Sequence, residues 1–166
     1  MSSSYLAGLF APKSIAVIGA TNDPRKAGQV VMRNLLQGGF AGPVMPVNPK
    51  HAAVAGVLSY RDIADLPVTP DLAIIATPPS ITPQIVAELG QRGTRAAIVL
   101  WPGSSGVDAL GSRRLESEIA AAAASNQCRL IGPDSIGVLI PGAGLNASLS
   151  QVPASNGKLA FLSQSA

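Results

Sequence analysis

Ile15-Ala16-Val17-Ile18 is an unbroken apolar run closed by Gly19, and it limits the possible folds more than any other stretch of the chain. A run without polar alternation suits a strand buried on both faces of a parallel sheet. Gly19 ends the run and lets the chain turn tightly. Residues 27–37 then read as a helix, with Val30, Val31 and Leu35 on one side. Strand, glycine turn and helix form the first part of a nucleotide-binding βαβ unit, where free backbone N–H groups and the positive helix end face a phosphate. The turn departs from the dinucleotide fingerprint. Counting G-x-G-x-x-G from Gly19 puts Thr21 and Pro24 where the second and third glycines belong, and the next glycine is Gly28. The loop is therefore longer and stiffer, and it carries Arg25 and Lys26. Cations in a first helical turn oppose the helix dipole, so they either meet an anion or reach into solvent.

The other post-strand loops continue the pattern. Val44-Met45-Pro46-Val47 reads as a second strand, with Asn48-Pro49-Lys50-His51 at its carboxyl end. Residues 57–60 read as a third, edge strand, and residues 61–66 as a short helix or turn ended by Pro67. A fourth strand covers residues 71–76, followed by Thr77-Pro78-Pro79-Ser80, which the prolines make rigid and non-helical. Thr82 is expected to cap a helix that opens with Pro83 and runs to about residue 92. A fifth strand at residues 96–100 leads into Trp101-Pro102-Gly103-Ser104. Asp108 is expected to cap a long helix through the alanine run at 120–124, before a sixth strand at 129–131. Residues 5–10 read as a helical lead-in. The alternation predicts an α/β fold: a Rossmann-like, doubly wound, mostly parallel sheet flanked by helices.

The end of the chain breaks the rhythm. Residues 146–156 are polar and loop-like, and Gly157-Lys158-Leu159-Ala160-Phe161-Leu162 begins a new strand. The expected division is one nucleotide-binding domain over residues 1–145, with residues 146–166 as linker and first strand of a further domain. The alternative makes that strand an edge of the same sheet.

Composition narrows the partners. Of the 166 residues 47% are hydrophobic and 13% charged, enough for a sizeable core and for apolar surface facing another domain. The net charge of +3, scattered cations and 4% aromatics exclude a nucleic-acid platform. One cysteine, no signal-peptide pattern and no apolar run of membrane-spanning length point to a cytoplasmic protein without a membrane partner.

In an open α/β sheet the ligand lies outside the carboxyl ends of the strands. The candidate residues are therefore Gly19, Ala20, Thr21, Asn22, Arg25, Lys26 and Gly28 in the first loop and Asn48, Pro49 and Lys50 in the second. Thr77, Pro78 and Pro79 in the third, and Gly103 in the fourth, complete the set. An NAD site usually ends its second strand with an acidic residue that holds the ribose hydroxyls. Lys50 there suits a ribose phosphate instead, which leaves coenzyme A and NADP open on charge. The prolines after residue 76 offer a flat apolar wall for an adenine or a pantetheine arm.

Together, Pro12-Lys13-Ser14-Ile15-Ala16-Val17-Ile18-Gly19-Ala20, Pro46-Val47-Asn48-Pro49, Asp71-Leu72-Ala73-Ile74-Ile75-Ala76-Thr77-Pro78 and Ile131-Gly132-Pro133-Asp134-Ser135-Ile136-Gly137 resemble the CoA-binding domain of ADP-forming acyl-CoA synthetases. They are more distantly similar to the α subunit of succinyl-CoA synthetase. The resemblance covers nearly the whole chain. It implies that the loops at 19–28, 48–50 and 77–79 hold coenzyme A or acetyl-CoA, beside the remaining domains of a larger parent. A second copy of the chain stays open as a partner. Two parents carry such a domain: the ligase itself, and a bacterial protein lysine acetyltransferase in which a synthetase-like region joins a GNAT domain. Met32-Arg33-Asn34-Leu35-Leu36, Leu145-Asn146-Ala147-Ser148 and the ending Ser163-Gln164-Ser165-Ala166 look more like the acetyltransferases. So do Asp134, and Trp101-Pro102-Gly103-Ser104, where ligases tend to carry other residues. The expectation is a regulatory CoA-binding domain of an acetyltransferase, with the ligase and an NADP-binding module as alternatives.

No catalytic or metal-binding constellation is expected within these residues. His51 is the only histidine, and it reads as a phosphate contact or an exposed bystander. Cys128 reads as a small core residue without a base or metal partner. Asp134-Ser135 reads as a turn before a strand, and Asp62 and Asp65 show no acid–base pairing.

Overall fold

Three four-residue runs without a polar side chain, Ile15–Ile18, Leu72–Ile75 and Ala96–Val99, are buried at every position. They form the middle of the sheet in a computed structural model that describes residues 4–100 and 109–163. In chain order the elements are α1 (Ser4–Phe10), β1 (Ile15–Ile18), α2 (Ala27–Gln37), β2 (Val44–Val47), β3 (Ala53–Val54), β4 (Val57–Leu58) and β5 (Leu72–Ile75). They continue with α3 (Thr82–Gln91), β6 (Ala96–Val99), α4 (Ala109–Ser125), β7 (Arg129–Ile131), β8 (Gly137–Ile140) and β9 (Leu145–Ser148).

Five strands make one parallel sheet in the order β2-β1-β5-β6-β7. Ile18 lies level with Val47 on one side and Ile75 on the other, and Ile75 with Val99, so the carboxyl ends share one edge. Side chains alternate between the faces. Ala16, Ile18, Met45, Val47, Ala73, Ile75, Ala97 and Val99 meet α3 and α4. Ile15, Val17, Leu72, Ile74, Ala96 and Ile98 meet α1, α2 and β9. Covering both faces explains why these strands carry no polar alternation. Ala16, Ala73 and Ala97 stand side by side in register, a row of small residues beneath the helices.

The chain leaves β1 through α2 to β2 on one side, and its next sheet strand, β5, lies on the other side of β1. The strand order therefore reverses between β1 and β5. In doubly wound sheets ligands bind outside the carboxyl ends of the strands at such a reversal. The Rossmann-like α/β fold read from the sequence is the fold observed.

Four local readings change. The edge strand expected at 57–60 is a two-residue arm, β4, paired antiparallel with β3, while Tyr60 alone bridges to Val47. The intervening short turn lets only one residue reach the sheet. Thr82 does not cap α3; it is the first helical residue, and its Oγ1 donates back to the Pro78 carbonyl at 3.2 Å. Pro79 has already started a 3-10 turn one step earlier, which displaces the helix start. The loop expected from 146 is a strand as far as Ser148, pairing antiparallel with β8. Leu145 and Ala147 are buried there, so the segment alternates with the strand period over too few residues to stand out. Finally, residues 157–162 form no strand and lie exposed. The loop from Trp101, with Gly103, and the expected cap Asp108 lie outside the described residues.

Candidate functional site

The site is built on two close approaches. Gly19 has φ +85°, and a Cβ there would sit 2.8 Å from the Ala76 carbonyl oxygen and 3.0 Å from Thr77 Cγ2. Only glycine allows the left-handed turn and the passage of the post-β5 loop together. A Cβ at Gly28 would collide with the Gly19 carbonyl oxygen. Gly28 therefore does the packing work of the last fingerprint glycine, holding the first turn of α2 against the end of β1. Lys26 precedes that turn in extended conformation, and no side chain caps it. The leading N–H groups of α2 are thus left to solvent or an anion.

The remaining loop residues divide into those committed to the protein and those left open. Asn48 Nδ2 donates to the Ala20 carbonyl at 2.6 Å, and Asn48 Oδ1 accepts the Lys50 N–H at 2.9 Å. This one side chain ties the end of β2 to the glycine turn. Asn22 Nδ2 donates to the Ala53 carbonyl and its Oδ1 accepts the Ala55 N–H, both at 3.0 Å, so its amide pins the β3–β4 arm. Arg25 is held by Asp23 in a bidentate pair, Nε and Nη2 each 3.0 Å from a carboxylate oxygen. The guanidinium and the Arg25 backbone N–H lower the Asp23 pKa to about 2. Lys26 and Lys50 are exposed, with no ion pair described for either.

Beyond β5, Pro78 and Pro79 start the 3-10 turn Pro79–Ile81 beside the glycine turn. Among the described residues Thr77 Oγ1 is buried there without a hydrogen-bond partner, and so is Gln29 Oε1 in the first turn of α2. Buried polar atoms rarely stay unpaired, and a ligand or water is the usual explanation. Gly19, Ala20, Gly28, Asn48 and Thr77 thus converge on one point. Thr21 faces His51, with Thr21 Oγ1 3.3 Å from His51 Nε2. Asn22 and Arg25 point their polar groups at the protein instead. A lone glutamine inside a helical pattern carries no signal, so the sequence does not single out Gln29. His51 stood beside Lys50, but only the tertiary contact with Thr21 singles it out.

Among the described residues no group of three or more His, Cys, Asp or Glu side chains could hold a metal. Cys128 is buried, and burial pushes its thiol up to about 11. No helix among the described residues is long and apolar enough to cross a membrane.

The sheet and its loops define a Rossmann-like α/β domain with an uncapped helix start beside a glycine turn at the carboxyl edge. A family model described as a CoA binding domain matches residues 13–141, and the chain belongs to that family. It is 39% identical over 158 residues to subunit alpha of the ADP-forming acetate–CoA ligase II of Pyrococcus furiosus, covering 94% of this chain and 34% of that one. It is 34% identical over 154 residues to the ADP-forming acetate–CoA ligase of Methanocaldococcus jannaschii, covering 93% of this chain and 21% of that one. Among solved structures, the dinucleotide forming acetyl-coenzyme A synthetase 1 of Ca. Korarchaeum cryptofilum, in complex with phosphate and ADP, superposes with a TM-score of 0.79 at 37% identity. That match covers 87% of this chain and 30% of that one. The chain spans 21% of one of these curated relatives and 34% of the other.

Proposed function

We infer that this chain is the CoA-binding region of an ADP-forming acyl-CoA ligase. The observation that carries the reading is the family match together with the ADP-forming ligases that this chain resembles along almost its whole length. The same relatives favour a ligase parent over the lysine acetyltransferase expected from the sequence. The chain's part is to bind and orient CoA. The uncapped start of α2, Gly19 and Gly28 receive the pyrophosphate; Lys50 receives the ribose phosphate; Thr77, Pro78 and Pro79 line the way for the pantetheine arm. Gly103 stands in the fourth loop of the same set. Ala20, Thr21, Asn22, Asn48 and Pro49 shape the two loops around the nucleotide, Lys26 adds positive potential, and Arg25 contributes once it leaves Asp23. The unit holding CoA ends near residues 145–150, the Asn34 bonds to Ser148 and Ser150 favouring the later limit, and the remaining chain leads toward the parent's other parts.

Calorimetry tests the reading. CoA is expected to bind more tightly than NAD, because only CoA brings both a pyrophosphate and a ribose phosphate. Equal or tighter binding of NAD overturns the reading, and a preference for NADP favours the redox-cofactor alternative.

A further inference from the structure

We propose that His51 is a specificity-determining residue: with Lys50 it grips the ribose 3′-phosphate of bound CoA. The inference rests on the CoA reading above and adds a residue which that reading does not need. His51 and Lys50 leave the same tight turn. The His51 N–H donates to the Asn48 carbonyl at 3.4 Å, and the Lys50 N–H to Asn48 Oδ1 at 2.9 Å. This turn sits just past β2, where a doubly wound sheet holds the ribose of a nucleotide. The imidazole is also fixed. It is half-buried, with Nε2 3.3 Å from the hydroxyl of the buried Thr21.

That contact leaves Nδ1 without a protein partner among the described residues. A ring anchored through one nitrogen presents the other in a set direction. Thr21 Oγ1 already accepts the Asp23 N–H at 3.2 Å, and its hydroxyl proton remains to be donated to Nε2. With Nε2 accepting that proton, the ring's own N–H lies on Nδ1, where a phosphate oxygen can accept it. The Asp23 carboxylate, two residues from Thr21, is taken up by Arg25. Lys50 supplies a mobile point charge, and His51 a directed donor.

Titration calorimetry of the chain with CoA and with 3′-dephospho-CoA tests the proposal. His51→Ala is expected to weaken CoA roughly tenfold, the scale of one charge-assisted hydrogen bond at a half-exposed site. Dephospho-CoA is expected to change by no more than about twofold, since it lacks the group being read. His51→Lys is expected to recover most of the loss by returning a phosphate donor to the turn. Should the alanine variant fail to fold, His51→Gln carries the comparison, with the same selective loss for CoA. Unchanged CoA affinity overturns the proposal. Equal loss for both ligands also overturns it, because a ring that only props the Thr21 loop gives that result. A wild-type chain that binds no CoA overturns the CoA reading and this proposal together, whereas wild-type binding with insensitive variants overturns His51 alone.

Discussion

Lys50 and Arg25 look alike in the sequence, two cations in ligand-side loops, and the structure treats them differently. Arg25 is 87% exposed at its side chain yet spends its guanidinium on both carboxylate oxygens of Asp23. Lys50 is exposed, and among the described residues only its backbone N–H is bonded, to Asn48. A free ammonium contributes to phosphate binding at once, whereas a paired guanidinium first has to leave its carboxylate. Lys50→Ala is therefore expected to weaken CoA by about 1–3 kcal/mol, the range for a charged hydrogen bond, and to leave dephospho-CoA nearly unchanged. Calorimetry with the two ligands reads the difference directly. If Lys50→Ala weakens both ligands equally, or neither, the 3′-phosphate must be sought at the 19–28 loop instead.

At the scale of elements, α2 links the site to the far side of the domain. Its first turn presses on the glycine turn through Gly28, and Val31, Met32 and Leu35 bury against the sheet. Near its other end, buried Asn34 donates through Nδ2 to the carbonyls of Ser148 and Ser150, each at 2.8 Å. These two bonds fasten the β8–β9 arm, which otherwise rests on Leu145 and Ala147. Asn34→Ala is expected to cost about 1–3 kcal/mol, because it leaves two carbonyls in a part-buried place without a donor. Urea denaturation measures that cost. Limited proteolysis should then cut earlier after Ser148 in the variant than in the wild type. Identical stability and cleavage would mean that the apolar contacts of β9 suffice alone.

For the whole molecule, the described residues bring together no nucleophile, base and orienting group suited to group transfer. Cys128 is buried away from the carboxyl edge and stays a neutral thiol at neutral pH, its pKa lying near 11. Asp23 is ionised and tied to Arg25, and His51 is tied to Thr21. A nucleophile needs a base within reach and a third group to orient that base, and neither relation is present among these residues. The chain by itself is accordingly expected to bind CoA and release it unchanged. A coupled assay for ADP in the presence of acetate, ATP and CoA should stay at background. Turnover above a mock preparation would reveal an active site that these residues do not display.

The amino-acid sequence alone determined the sheet, the glycine turn and the position of the ligand-side loops. Apolar runs such as Leu72–Ile75 and glycines such as Gly19 act through local properties: burial on two faces, and access to a left-handed turn. Chemical type also sufficed to place Lys50 at the end of β2. Tertiary structure alone decided which polar groups stay available. Asn22 is captured by an arm about thirty residues on, and Asn34 by carbonyls 114 and 116 residues on. The strand at Leu145–Ser148 exists because α2 and the sheet offer its two apolar residues a place to bury, while its own composition reads as loop. A hydrogen bond depends on where two distant segments come to rest, and no local pattern encodes that distance.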